Sequence, residues 1–348
     1  MVVLFKKRFS VFIAGLLFGT SSVPAQKPAY TNLVFEGAGI RGIAYSGAIQ
    51  ELEAAGLMQP VRGFAGTSAG AITALLLSLG YKGAETEQII SETKFERFND
   101  GRFFFIGGLH RLRKNFGWYR GKAFDAWLGQ LIAAKTNDPD LSFDELYRRT
   151  GNELVITATS FNRQRVLYLS RLTYPSMRVR DAVRISMSIP LYFEAIRIDA
   201  SGTIQPSGTP DDSLDLVGDG GMLANFPIAA FDTYDTSADG VIRRIPNPQT
   251  LGVRIDSDRQ LQNDRTTHEL AQIPIRSLRS YMGAFYVLTI ESLNRQQLTA
   301  DDWARTLSVS DAQTGPVIKK LTTAQKQRLI ESGRNHTRMF LQQKGIRL

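Results

Sequence analysis

Gly37-Ala38-Gly39-Ile40-Arg41-Gly42 and Gly66-Thr67-Ser68-Ala69-Gly70 decide the fold of this 348-residue chain. Each is a glycine turn with an apolar run before it and a helix-like run after it. Leu33-Val34-Phe35 leads into the first turn, which opens a helix from Ile43 to Ala55 with Ala44, Ala48, Leu52 and Ala55 on one face. The run 61–65, ending in Phe64-Ala65, leads into the second, and Ala71-Ile72-Thr73-Ala74-Leu75-Leu76-Leu77 continues from it as a helix. Outward from these units the alternation persists. There is a helix across Ala123, Trp127 and Leu131, and a hairpin pairing Leu154-Val155-Ile156-Thr157 with Val166-Leu167-Tyr168-Leu169. Further strands are expected near 214–218, 250–255 and 306–309. This pattern predicts an α/β fold with a mixed central sheet covered by helices on both faces. Thr322 and Gln325 form a capping box for the last helix, and segments 200–213 and 235–249, rich in Gly, Ser, Pro and Asp, read as surface insertions.

The second turn has the G-x-S-x-G form of a nucleophile elbow, in which a sharp strand-to-helix turn exposes a serine at the positive end of a helix. Gly66 and Gly70 keep the turn narrow, while Thr67 and Ala69 flank Ser68. The first turn also fits the dinucleotide fingerprint G-x-G-x-x-G, but that use requires an acidic residue about 20 residues on to hold the ribose. The next strand ends instead in Gly66 and the serine, so the nucleotide reading lacks its acid. A third element follows: the strand Leu214-Asp215-Leu216-Val217-Gly218 delivers Asp219 into the turn Asp219-Gly220-Gly221.

In this order the three motifs resemble the patatin-like phospholipase family, whose members carry a glycine-rich oxyanion turn, a G-x-S-x-G serine and an Asp-Gly-Gly or Asp-Gly-Ala aspartate. Ser186-Met187-Ser188-Ile189-Pro190-Leu191-Tyr192-Phe193 is similar to another block of that family, as are Leu321-Thr322-Thr323-Ala324-Gln325 and Glu331-Ser332-Gly333 near the end. The resemblance covers about residues 31–232 and the last 30, and implies a three-layer domain with a mostly parallel sheet. One departure is Ala38, which stands where the family usually has the second of three glycines and which does not readily take positive φ.

A serine hydroxyl needs a base, and the tetrahedral intermediate needs preorganised donors. The backbone amides of Gly37, Ala38, Gly39, Ile40, Arg41 and Gly42 are the expected oxyanion hole, with Ala69 a further donor. Arg41 either adds positive potential there or is a solvated residue at a helix start. The chain has three histidines, His110, His268 and His336. The first lies in a basic aromatic stretch, the second after polar residues at the start of a helix, and the third on a polar helix face, so none stands at a strand end. The resemblance implies instead that Asp219 is the proton acceptor for Ser68 in a two-residue dyad. For that role, apolar pocket walls must raise its proton affinity from an ordinary pKa near 4. No cluster of metal ligands is visible, and neither metal nor cofactor is expected.

Residues 1–25 read as a secretory signal peptide: Lys6, Lys7 and Arg8, an apolar stretch from Phe9 to Phe18, and small residues up to Ala25 before Gln26. About ten apolar residues do not span a core of about 30 Å. The expected product is an exported protein, periplasmic, associated with the outer membrane or secreted, comprising one domain over 26–348. An uncleaved N-terminal membrane anchor is the alternative. The chain lacks cysteine, so its core stands without disulfides. Removing the leader takes three cations and no anion from 42 basic and 33 acidic residues, which leaves a positive excess suited to anionic lipid surfaces.

Residues 98–120 mix Phe98, Phe103, Phe104, Phe105, Phe116, Trp118 and Tyr119 with Arg102, Arg111, Arg113, Lys114 and Arg120. Aromatic rings among cations suit peripheral contact with a membrane interface. The plainer account is rings packed beneath a loop with the arginines in water, and an exported chain gives no reason to expect nucleic acid. The functional expectation is a lipid acyl hydrolase of the phospholipase A or lysophospholipase type acting on a phospholipid or other lipid ester. The alternatives are an esterase or acyltransferase of the same fold for small acyl groups, or a secreted binding protein without catalysis.

Overall fold

The structure, a computed structural model, describes residues 29–101, 104–206, 212–237, 240–267, 269–315 and 320–346. Nine strands form the main sheet: β1 (Asn32–Phe35), β2 (Gly63–Gly66), β3 (Glu153–Ser160), β4 (Arg165–Ser170), β5 (Ile196–Ile198), β6 (Ile204–Gln205), β7 (Asp215–Asp219), β8 (Thr250–Asp256) and β9 (Thr306–Ser310). Their order is β9-β8-β1-β2-β3-β7-β5-β6, with β4 also paired to β3. β9, β8, β1, β2 and β3 run parallel, and β4 and β7 run against β3. This is the mixed α/β sheet that the alternating pattern predicts, mostly parallel as the resemblance implies.

Side chains of successive strand residues leave on opposite faces, and both faces here are covered. Leu33, Phe35, Phe64, Leu154 and Ile156 enter one large core. The intervening Val34, Ala65 and Val155 join Phe226 and Ile228 in a second. The principal helices are α1 (Ala44–Ala54), α2 (Ala69–Ser78), α3 (Val179–Ser186), α4 (Leu278–Gln296) and α5 (Thr323–Gln343). α2 is apolar almost all round and buried from Gly70 to Ser78, as a helix enclosed by protein should be. α1 and α5 approach backbone to backbone: a Cβ on Gly47 would collide with the Ile330 carbonyl, and one on Gly333 with the Ala44 carbonyl. Arg338 of α5 closes the pair with Glu51 of α1 at 2.7 Å.

Three regions differ from the sequence reading. Within residues 98–120, a helix spans Phe104–Asn115 where packing beneath a loop was expected. Arg111 is buried instead of solvated, with Nε donating to the Trp118 carbonyl at 2.8 Å. Phe98 packs on Phe124 and Trp127, with ring centroids 5.1 and 5.3 Å away. The insertions carry pairing of their own: Ile204–Gln205 joins the main sheet, and Thr233–Thr236 pairs with Ile242–Ile245 as a separate ribbon. Finally, the helix expected to begin at His268 is absent from residues 269–277, and α4 begins only at Leu278. Its large apolar residues Leu278, Tyr281, Phe285 and Leu288 face outward while Asn294 and Arg295 are buried, which inverts the usual periodic signal. Residues 1–25, His268, Arg102 and Phe103 lie outside the described residues.

Candidate active site

The register of β3 sets the site. β4 occupies one edge of β3 from Val155 to Ser160. The other edge is shared end to end: β2 pairs from Glu153 to Ile156, and β7, running the opposite way, pairs from Ser160 to Ala158. Thr157 is left between them. β2 therefore releases its chain toward Ser68, and β7 its chain at Asp219, into the same gap. Thr67 Oγ1 lies 2.5 Å from Thr157 Oγ1, and on the other side a Cβ at Gly220 would run into Thr157.

Ser68 has φ 53° and ψ −120°, a strained conformation for a side chain with Cβ. Gly66 and Gly70 permit that turn because no Cβ fits at either: the Gly70 carbonyl fills the space at Gly66, and the Phe35 and Glu36 carbonyls fill it at Gly70. The Ser68 amide donates to Ser186 Oγ at 2.9 Å, which ties the elbow to the end of α3. Ser68 Oγ donates to Met187 Sδ at 3.4 Å, and the same hydroxyl faces the Asp219 carboxyl closely enough to lower its pKa. A thioether is a weak acceptor and a carboxylate a strong one, so the hydroxyl gains by turning from Met187 to Asp219.

Asp219 is buried, and burial raises its pKa to about 7 against the pull of the Gly221 amide and the Ser68 hydroxyl. The Gly221 N–H donates to Asp219 Oδ1 at 2.7 Å, and the Asp219 N–H to the Ser188 carbonyl at 2.9 Å. Ser186, Met187 and Ser188 thus touch both halves of the site. The sequence marks this block only by resemblance, and nothing local to it predicts contact with Ser68. Histidine takes no part in these contacts among the described residues: His110 is exposed, and His336 Nδ1 bonds its own helix at the Ser332 carbonyl, 2.9 Å away.

The first glycine turn becomes a short 3₁₀ helix, Gly39–Ile43. Ala38 has φ −129°, which any residue adopts, while the positive φ of 53° falls on Gly39. The alanine therefore fits the turn without strain. Its six amides are not equivalent. The Gly37 N–H donates to the Asn225 carbonyl at 2.9 Å and the Arg41 N–H to the Ala38 carbonyl at 3.2 Å, so both are engaged. Gly42 lies within the 3₁₀ helix. Gly39 and Ile40 begin it, where amides lack an intrahelical acceptor, and Ala69 stands likewise at the start of α2. A Cβ at Gly42 would lie 2.9 Å from the Ala69 Cβ, so the two turns are in contact. Arg41 is buried and not solvated, with Nε on the Ala38 carbonyl at 3.2 Å and Nη1 on the Ile255 carbonyl at 3.4 Å.

Behind this turn lies a layer of buried charge that sequence reading misses, because its members are scattered along the chain. Arg254, 1 % exposed, pairs with Glu36 at 3.2 Å, Asp256 at 2.8 Å and Glu291 at 3.3 Å. Arg295 pairs with Asp256 at 2.6 Å and Asp264 at 2.7 Å. Burial, with Glu291 and Asp256 adding to it against Arg254, raises Glu36 to about 8. Burial also pushes Asp256 up, but Arg254 and Arg295 outweigh it and hold that carboxyl below its ordinary range. Among the described residues, no group of three or more acidic or histidine side chains is placed to hold a metal ion.

Known proteins agree with this architecture. The uncharacterized protein YqhO of Bacillus subtilis (strain 168) is 29 % identical over 327 residues, covering 90 % of this chain and 99 % of that one. The probable lipid hydrolase 463L of Invertebrate iridescent virus 6 is 25 % identical over 204 residues, 57 % of this chain and 62 % of its own. The crystal structure of VipD from Legionella pneumophila shares the fold, with a TM-score of 0.53 at 14 % identity over 91 % of this chain and 67 % of that one. The model of the patatin-like phospholipase family matches residues 33–232, a span that holds both glycine turns, Ser68 and Asp219. The chain belongs to the patatin-like phospholipase family, a family of lipid hydrolases.

Proposed function

We propose that the chain is an exported serine acyl hydrolase of lipid esters, of the phospholipase A or lysophospholipase type, using Ser68 and Asp219 as a two-residue dyad. The observation that carries the reading is the convergence of β2 and β7 on one gap, where the Ser68 hydroxyl faces a buried Asp219 whose proton affinity lies near neutrality, with no histidine beside them among the described residues. A base works best when its pKa is close to the working pH. In the first step Ser68 Oγ attacks the ester carbonyl carbon as its proton passes to Asp219. The oxyanion is held by the amides of Gly39 and Ile40, with Ala38 and Ala69 alongside. The tetrahedral intermediate collapses, and protonated Asp219 returns its proton to the leaving alcohol. Water then attacks the acyl-enzyme with Asp219 again as base, which releases the fatty acid and restores Ser68.

Two further parts of the proposal concern place. Peripheral membrane contact through residues 98–120 is supported by Leu109 and Phe116, which are exposed beside Arg113 and Lys114. Exposed Leu191 lies on the strand paired to Gly117 and follows the block that touches Ser68, so this apolar surface borders the site. Export rests on the character of residues 1–25, and the mature chain is expected to begin at or near Gln26.

The test combines a fluorophosphonate probe with a lipid digest, using purified mature protein and Ser68→Ala. The wild type should label on Ser68 and release fatty acid from phospholipid, and Ser68→Ala should fold and do neither. An active, homogeneous Ser68→Ala preparation would defeat the assignment. Hydrolysis confined to short soluble esters would redirect it to an esterase.

A further inference from the structure

Asn225 lies six residues beyond Asp219, within no motif of the sequence reading, yet it touches both turns of the site. The Gly37 N–H donates to the Asn225 carbonyl at 2.9 Å, and Asn225 Nδ2 returns a bond to the Gly37 carbonyl at 3.0 Å. Its Oδ1 occupies the space where a Cβ on Gly37 would be, and stands 3.0 Å from where one on Gly221 would be. The carboxamide is thus a wedge between the turn that begins at Gly37 and the turn that follows Asp219. The wedge is itself held. The Asn225 N–H donates to Asn294 Oδ1 at 2.6 Å, and Asn294 Nδ2 donates to the Ile290 carbonyl at 2.5 Å and the Gly221 carbonyl at 3.4 Å. Gly221 in turn donates to Asp219. Both asparagines are buried, so an unmade bond has no water to replace it.

We infer that Asn225 is the positioning residue that fixes the oxyanion turn relative to Asp219, with Asn294 on α4 holding it in place. The inference rests on the proposed roles of Ser68 and of the first glycine turn, and adds what sets the distance between them. An asparagine suits the position because its Nδ2 donates to the Gly37 carbonyl and, at 3.5 Å, to Glu291 Oε1, while its Oδ1 lies against two glycines. Aspartate keeps that shape but lacks the donor. A small displacement of amides aimed at a developing oxyanion costs rate without changing how the ester is bound in the ground state.

The experiment uses the full mature chain and its Asn225→Ala, Asn225→Asp and Asn294→Ala variants. It measures kcat and KM on a short-chain ester, the rate of Ser68 labelling by a fluorophosphonate, the midpoint of the pH–rate profile, and thermal melting. Rates are referred to labelled sites, so loss of folded protein does not count as loss of turnover. Asn225→Ala and Asn225→Asp should lower kcat and labelling rate together by roughly 10- to 100-fold. KM should stay within about threefold, and the pH midpoint should not move in Asn225→Ala, whereas the carboxyl added in Asn225→Asp should raise it. Asn294→Ala, one bond further away, should show the same pattern at about 3- to 10-fold, and carries the test if the Asn225 variants do not fold. Wild-type kcat and labelling per site in folded variants, with only the melting temperature lowered, would overturn the inference. So would a rise in KM alone. Ser68→Ala run in parallel separates the two readings: if it stays active the nucleophile is wrong, whereas a dead Ser68→Ala beside a fully active Asn225→Ala removes only the role of Asn225.

Discussion

Asp219 and Glu36 lie on either side of the first glycine turn, and both hold a proton more tightly than an ordinary carboxylic acid, one at about 7 and the other at about 8. Their surroundings are opposite. Asp219 meets an amide and a hydroxyl and has no cation in contact, so its basicity comes from loss of water and is available to Ser68. Glu36 is paired with Arg254, accepts a bond from the Ile255 N–H at 3.1 Å, and shares its cation with Asp256 and Glu291. Its proton affinity reflects burial and too many carboxylates for two arginines. A raised pKa alone therefore does not identify a base. What separates the two is whether the carboxyl has a transferable proton beside it, as Asp219 has in the Ser68 hydroxyl.

The largest effect should come from removing charge at each carboxyl in turn. Asp219→Asn is expected to cut turnover by about 10²- to 10⁴-fold, the usual contribution of a general base. Glu36→Gln imitates the protonated acid, retains an acceptor for Ile255, and should stay within a few-fold of wild type. Steady-state hydrolysis of one short ester and one phospholipid checks both, and equal losses would erase the distinction.

Next in size is the cation behind the turn. Arg254→Met leaves Glu36, Asp256 and Glu291 with less compensation and should cost about 3–5 kcal/mol, the range for breaking a buried ion pair. The loss should deepen as pH rises and more of those carboxylates ionise. Denaturant unfolding at pH 6 and pH 8 measures it, and a cost below about 1 kcal/mol would show that the layer does not depend on its arginine.

Stability should also reveal the isolation of Asp219. Its pKa is raised in the folded chain, so the folded state holds the extra proton between about pH 4 and pH 7. Stability from this group is complete below about pH 4 and is lost as pH rises through about 7. Asp219→Asn removes that dependence, and should gain on wild type by about 3 kcal/mol between pH 5 and pH 8. A constant difference across that interval would mean that the carboxyl is solvated. The smallest effect belongs to the histidines: replacing His110, His268 and His336 together with Gln should preserve most of the turnover. A dead triple variant beside an active Asp219→Asn would place a histidine next to Ser68.

The parts of this molecule written locally are the parts the sequence discloses. The elbow, the glycine turn, the hairpin of β3 and β4, and the Thr322–Gln325 cap each depend on residues a few positions apart. Ala38 shows the limit even there: the motif indicates a glycine-like turn, but only the backbone angles show that Gly39 carries the positive φ. The rest depends on distant partners. Glu36, Arg254, Asp256, Glu291 and Arg295 make one layer from three separated segments, and no periodicity links them. Helix α4 presents its apolar residues outward, so a reading that turns apolar faces inward does not place it. Asn225 was illegible for the same reason, since its partners are Gly37 and Asn294.

The backbone contact between α1 and α5 has a consequence for the order of events in folding. Ala44 and Gly47 meet Gly333 and Ile330 with no room for a side chain between them, so this face of α1 is covered only by a segment more than 280 residues further along the chain. Contacts so distant along the chain form late, because a long loop must close before they return any stabilisation. Until residues 323–343 emerge from the ribosome, the glycine face of α1 lacks its partner. Docking of α5 against α1 therefore belongs to the late steps of folding, and until it happens the glycine face of α1 stays open.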